Sequence, residues 1–81
     1  MRNNVNTGGF RMHSQLNGQY AILRRREVEK MTGMSRSTIY LHMSLGEFPK
    51  PIKLGSRSVG WIKSEVLSWL ERKIQERDME V

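Results

Sequence analysis

Residues 32–40 read Thr32-Gly33-Met34-Ser35-Arg36-Ser37-Thr38-Ile39-Tyr40, and this stretch decides the fold. Gly33 supplies the left-handed backbone position on which helices commonly end. Ser35, two residues on, is a residue type that caps the start of a helix. One helix therefore stops and another starts within a single turn. Upstream, Val28 and Met31 lie three apart and give one apolar stripe to a short helix from about Arg25 to Thr32. Downstream, Ile39 and Met43 lie four apart and mark the buried stripe of a helix from Arg36 to about Leu45, ended by Gly46. Two short helices joined by a glycine-containing turn form a helix-turn-helix corner.

Working outward, Phe48-Pro49-Lys50-Pro51 blocks helix and forces an extended exit. Two short alternating runs follow, Ile52-Lys53-Leu54 and Val59-Gly60-Trp61, with the turn formers Gly55-Ser56-Arg57-Ser58 between them. Ile52 and Leu54 point one way and Lys53 the other, so this segment reads as a β-hairpin with a basic tip. A third helix follows, capped near Lys63 or Ser64 and running to about Arg77. Val66, Leu67, Trp69, Leu70 and Ile74 give it a broad apolar face. The expected fold is mainly α with a small β-hairpin: a winged helix-turn-helix.

The domain is expected over 20–77, led in by Tyr20-Ala21-Ile22-Leu23. A flexible N-terminal tail over 1–19 precedes it, dominated by Asn, Gly, Ser and Gln and lacking periodicity. Phe10 and Met12 are its candidates for packing on the domain. Residues 78–81 read as a short C-terminal tail, and no internal repeat or low-complexity run is visible.

A chain of 81 residues with 37% apolar content has room for one modest core. Its 14 basic and 8 acidic side chains leave a net charge of +6, a balance that favours polyanionic partners. The surplus is local: residues 1–61 hold ten basic and three acidic side chains, whereas 62–81 hold four and five. The absence of cysteine excludes disulfide scaffolds, thiolate zinc fingers and cysteine nucleophiles. No run approaches the ~18 apolar residues of a membrane span, and the N-terminus lacks the apolar stretch of a signal peptide. The expectation is a cytoplasmic protein with no membrane role. An enzyme is not expected either. His13 and His42 show no metal spacing, there is no phosphate loop or nucleophile motif, and no cofactor or metal is called for.

The run from Ile22-Leu23-Arg24 to Leu70 resembles the AlpA family of phage and prophage regulators. The elements that carry the resemblance are Leu23-Arg24, Glu27-Val28, Thr32-Gly33, Ser35-Arg36-Ser37-Thr38-Ile39-Tyr40, the Gly46–Pro51 link, Lys53-Leu54-Gly55, Val59-Gly60-Trp61 and the Ser64–Leu70 segment. They occur in order over most of the domain. The resemblance implies a DNA-binding domain related to MerR-like and excisionase-like winged folds, serving integrase or excisionase genes on mobile elements. It also implies a second output, since similar small proteins act as recombination directionality factors that bind and bend attachment-site DNA. Three positions depart from the family pattern: Arg25 stands where an apolar residue is usual, and Leu41 and Leu45 stand where basic residues are common.

With Ile39 turned to the core, 100° per residue places Ser37, Tyr40, Leu41 and Ser44 on the opposite face of the second helix, Thr38 and Leu45 at its flank, and His42 and Met43 inward. The candidate recognition-helix residues are Ser35, Arg36, Ser37, Thr38, Tyr40, Leu41 and Ser44. Ser35, Ser37 and Thr38 suit phosphates at the helix start, with Ser35 a cap first. Arg36 reaches a phosphate or a guanine edge, Tyr40 a phosphate or a stacking surface, and Leu41 a thymine methyl. Leu41 and Leu45 equally suit an exposed strip for pairing between copies. Arg57 at the wing tip suits the minor groove, with Lys50, Lys53, Ser56, Arg24 and Arg26 supplying phosphate attraction. Arg24, Arg25 and Arg26 cannot all face one surface. Arg2 and Arg11 extend the basic character into the tail. Trp61 and Trp69 read as core.

The expected partner is double-stranded DNA, bound by several copies on adjacent sites because one small reader binds weakly. A protein-interaction module gripping an integrase, a response regulator or RNA polymerase is the alternative from a different class. Salt sensitivity on unrelated DNA separates the two.

Overall fold

The computed structural model describes residues 20–80. The expected tail at 1–19, with Arg2, Phe10, Arg11, Met12 and His13, lies outside the described residues, as does Val81. The elements run β1 (Ile22–Leu23), α1 (Arg25–Thr32), α2 (Arg36–Ser44), β2 (Ile52–Lys53), β3 (Val59–Ile62) and α3 (Lys63–Met79). This is a mainly helical winged helix-turn-helix.

The decisive turn closes as the sequence predicts. Gly33 takes φ 74°, and its N–H donates to the Glu29 carbonyl at 2.8 Å. Thr32 Oγ1 donates to the Val28 carbonyl at 2.8 Å and accepts from the Met34 N–H at 3.2 Å. Ser35 Oγ accepts from the Thr38 N–H at 3.2 Å and so caps α2. Arg24, before α1, offers no side-chain acceptor. There Glu27 Oε1 reaches back to the Arg24 N–H at 2.7 Å, one half of a capping box. Arg25, the unusual residue of the first turn, is half-buried and pairs with Glu29 one turn on.

The sheet has three strands where a two-stranded hairpin is expected. β3 is central, in the order β1-β3-β2, and both pairings are antiparallel. Ile22 lies opposite Ile62 and Leu23 opposite Trp61 on one side; Ile52 lies opposite Gly60 and Lys53 opposite Val59 on the other. A two-residue strand has too few positions to show alternation, so β1 exists only through its partner. The Lys63 N–H extends the ladder by donating to the Ala21 carbonyl at 2.8 Å. Gly60 is required at the centre, because a Cβ there would overlap Ile22 Cγ2 and sit 3.1 Å from Leu54 Cδ1.

Nearly every element sends one side chain to the core: Leu23, Val28, Ile39, Phe48 and Trp61, with Val66 and Trp69 from α3. The two indoles also act through their polar ends. Trp69 Nε1 donates to the Glu47 carbonyl at 2.7 Å and Trp61 Nε1 to the Pro49 carbonyl at 3.0 Å. Phe48, between those carbonyls, turns inward and meets Trp69 edge-on at 4.9 Å between ring centres. The proline-bearing link is thereby pinned at three successive residues, which fixes the wing relative to α2.

Helix α3 departs from expectation at three points. Its cap residue is Ile62, without a side-chain cap bond, and it runs on to Met79. Leu67 and Ile74 are exposed, so the buried stripe is narrower than the sequence suggests: Val66, Trp69 and half-buried Leu70 fill the available core surface.

Candidate nucleic-acid interface

The start of α2 gathers the hydroxyls. Ser35 Oγ lies 3.3 Å from Ser37 Oγ and 3.0 Å from Thr38 Oγ1, with Ser35 and Ser37 exposed and Thr38 half-buried. No Asp or Glu occurs anywhere in α2, so the positive end of the helix dipole is left unneutralised there. Arg36 is exposed and folds along the helix, its guanidinium carbon 5.8 Å from the centre of the Tyr40 ring. Tyr40, 38% exposed, presents its edge or face to Trp61 at 6.4 Å and 79°. Ser35, Arg36, Ser37 and Tyr40 line one shallow depression. Trp61 thus supports Tyr40, Tyr40 supports Arg36, and the Pro49 carbonyl holds Trp61.

Further along, Leu41 and Leu45 stand 55% and 58% exposed, one turn apart. Ser44 is exposed, but its hydroxyl proton is engaged by the Leu41 carbonyl at 2.7 Å; only its oxygen lone pairs remain available. His42 is half-buried, 3.2 Å from Glu47 Oε1 and edge-on to Trp69, the position of a helix-packing residue.

On the wing, Lys50, Lys53, Ser56 and Arg57 are all exposed. The tip is closed by the N–H groups of Leu54 and Gly55, which donate to the Ser58 carbonyl at 2.7 and 3.3 Å. Arg24 is joined to this region, its Nε donating to the Val59 carbonyl at 3.1 Å. Arg26 is exposed on α1, while Arg25 is taken up by Glu29. Among the described residues, Arg24, Arg26, Lys30, Arg36, Lys50, Lys53 and Arg57 have no carboxylate within ion-pair distance.

The structure therefore brings together Ser35, Ser37 and Thr38 in one group and Arg36 with Tyr40 in another, and it ties Arg24 to the central strand. Lys50, Lys53 and Arg57 are exposed, each without a carboxylate at ion-pair distance among the described residues. The Trp61–Tyr40 contact and the Arg24 tether escape sequence reading because each links residues far apart in the chain. The Arg36–Tyr40 contact has a local signal, an i,i+4 spacing on one helix face. No group of three His, Cys, Asp or Glu placed to hold a metal occurs among the described residues, and none of their helices is long and apolar enough to cross a membrane.

An exposed helix start free of acidic side chains, a basic wing, and a clamp that fixes one against the other define a small winged helix-turn-helix protein. The chain belongs to the family described as prophage CP4-57 regulatory protein (AlpA), whose model matches residues 21–74. It is 44% identical over 59 residues to the uncharacterized protein ORF88 of Enterobacteria phage P4, a match covering 73% of this chain and 67% of that protein. It is 41% identical over 58 residues to the DNA-binding transcriptional activator AlpA of Escherichia coli K12, covering 64% of this chain and 83% of that one.

Proposed function

We propose that this protein is a double-stranded-DNA-binding transcriptional regulator of a phage or integrated element, acting on integrase or excisionase expression. The observation that carries the reading is the set of exposed cations without an ion-pair partner, together with a helix start that contains no carboxylate. The similarity to a DNA-binding transcriptional activator and to a phage protein supports it.

In this reading α2 enters the major groove by its first turn. The backbone N–H groups there and the Ser35 and Ser37 hydroxyls meet phosphate. Arg36, braced by Tyr40, reaches a guanine edge or a phosphate, and Leu41 contacts a thymine methyl. Arg57 enters the minor groove from the wing, while Lys50, Lys53, Arg24 and Arg26 hold the backbone. About five phosphate contacts give a slope of about −4 to −5 in log affinity against log salt.

Arg36 is the one long side chain on α2 suited to paired hydrogen bonding with a base, which leaves direct readout thin. That favours a second output, an excisionase that binds and bends attachment-site DNA, with deformability supplying the missing specificity and several copies on adjacent sites supplying affinity. The exposed Leu41–Leu45 strip keeps a further reading in play, an adaptor that grips an integrase or RNA polymerase.

A gel shift with DNA flanking the protein's own gene, against an unrelated fragment of equal length, tests the proposal. Stepwise shifts that survive excess competitor, weakened by Arg57→Ala, are expected; the responding fragment tells promoter from attachment site. Equal, salt-labile smearing on both fragments would remove the support for selective DNA binding and move the adaptor reading ahead.

A further inference from the structure

Strand β1 stops before it reaches the wing. Ile22 pairs with Ile62 and Leu23 with Trp61, and the Lys63 N–H donates to the Ala21 carbonyl. Continued, that antiparallel register would set residue 25 opposite Val59 and give its N–H to the Val59 carbonyl. The chain turns into α1 at Arg25 instead, which leaves this flank of β3 without a strand. Arg24 fills the place. Its Nε donates to the Val59 carbonyl at 3.1 Å, so a side chain takes over where the strand backbone has left.

The same residue is held at its other end, where its own N–H donates to Glu27 Oε1 at 2.7 Å. With backbone and guanidinium both tied, the side chain is pre-organised. Its Nε edge faces the wing. Arg24 is exposed, and no carboxylate lies within ion-pair distance of it among the described residues. Its two Nη groups therefore offer a fork that matches a phosphate with two parallel hydrogen bonds. Lysine, a point charge on a flexible stem, does not fix two partners in one plane.

We propose that Arg24 is the positioning residue of the wing. One edge of its guanidinium holds β3 to the start of α1, the other takes a DNA phosphate, and the two contacts together aim Arg57, two residues before Val59, at the duplex. Phosphate attraction alone asks for any cation at position 24; the brace asks for arginine. The wing needs such a brace because β2, its other neighbour, is an edge strand of two residues. The Leu54 and Gly55 N–H groups that close the tip both donate to the Ser58 carbonyl, next to Val59. The phosphate half of the proposal rests on the DNA-binding reading, whereas the brace belongs to the free protein.

Arg24→Lys keeps the charge and removes the Nε donor; circular dichroism checks that the fold is kept. In the free protein, hydrogen exchange of the Leu54 and Gly55 amides is expected to quicken about fivefold or more, with the Ile39 amide in α2 unchanged. Unchanged exchange at the wing, or an equal rise at Ile39, would overturn the brace. Affinity is then measured for Arg24→Lys, Arg57→Gln and the double variant, on a duplex cut from the fragment that shifts with the parent protein. Arg24→Lys is expected to lose about tenfold. Arg57→Gln, expected to cost the parent about tenfold, should cost about threefold or less in the Arg24→Lys background. Full affinity in Arg24→Lys, or losses that simply multiply, would overturn the aiming of Arg57. A parent protein that shifts no DNA would sink the DNA-binding reading and the phosphate contact with it, while the exchange result still decides the brace.

Discussion

The two ends of the described domain use charge in opposite ways. From Arg24 to Arg57 the chain holds eight basic and three acidic side chains, and Arg25 is the one cation there with a carboxylate partner among the described residues. In α3 the signs are balanced, and Lys73 and Arg77 each lie against a carboxylate within a few residues. A protein of net charge +6 therefore has one region with a large surplus of cations available to a polyanion and another in which four basic and four acidic side chains cancel, two of those cations lying against a carboxylate. The contrast teaches that net charge is a poor guide to a binding face; what counts is where unpaired cations outnumber the carboxylates around them.

Breaking the scaffold abolishes the contrast altogether, and this is the largest effect expected. Trp61 is fully buried, supports Tyr40 and donates to the Pro49 carbonyl. Trp61→Ala is expected to cost about 3–5 kcal/mol of stability, a large part of what so small a domain possesses, and to lose DNA binding with the fold. Gly60→Val forces β3 away from Ile22 and Leu54 and should act in the same direction. Thermal unfolding followed by circular dichroism measures both. Next in size is Arg36→Ala, expected to weaken DNA binding by about 1–3 kcal/mol with the melting temperature nearly unchanged. A matched loss of stability would mean that Arg36 serves the fold through Tyr40 rather than the DNA.

How much of this was legible in the sequence follows from the range of each signal. The helix-turn-helix was legible because Gly33 and Ser35 act within three residues, and α1 spans the residues that its apolar stripe and the Gly33 stop give it. The wing was legible as a pair of strands because the Pro51 exit and the Gly55–Ser58 turn bracket them, whereas β1, equally short, has no neighbouring turn to mark it. The outward face of α2 followed from Ile39 and 100° steps. The pinning of the Glu47–Pro49 link by two indoles lay beyond reach, because an indole N–H has no local sequence cue to its acceptor. The exposure of Leu67 and Ile74 was missed for a related reason: helical periodicity shows that a face is apolar, and the domain's size decides how much of it can be covered.

Smaller effects sharpen the comparison. Ser35→Ala removes the cap on α2 and is expected to cost about 1 kcal/mol of stability, read as a lower melting temperature. If Leu41 touches a thymine methyl, replacing that thymine by deoxyuridine removes one buried methyl group, about 0.8 kcal/mol, or roughly a fourfold loss of affinity. Leu41→Ala should erase the difference between the two DNAs. An unchanged difference in that variant would assign the methyl to another side chain.

The smallest effect is expected from the screened region, and it carries the argument furthest. Arg77→Gln removes one positive charge, the same nominal change as Arg57→Gln on the wing. Arg77 is 73% exposed and paired with Asp78, and an exposed pair of this kind contributes about 0–1 kcal/mol. Its loss should leave both the melting temperature and the salt slope of DNA binding where they were. Arg57→Gln should instead lower the slope by about one unit. Equal changes in slope for the two variants would show that the DNA senses total charge rather than a face, and the distinction between paired and unpaired cations would then fail. A slope that moves only with Arg57 would locate the contact on the wing, since the two proteins have the same net charge and differ only in where the missing cation stood.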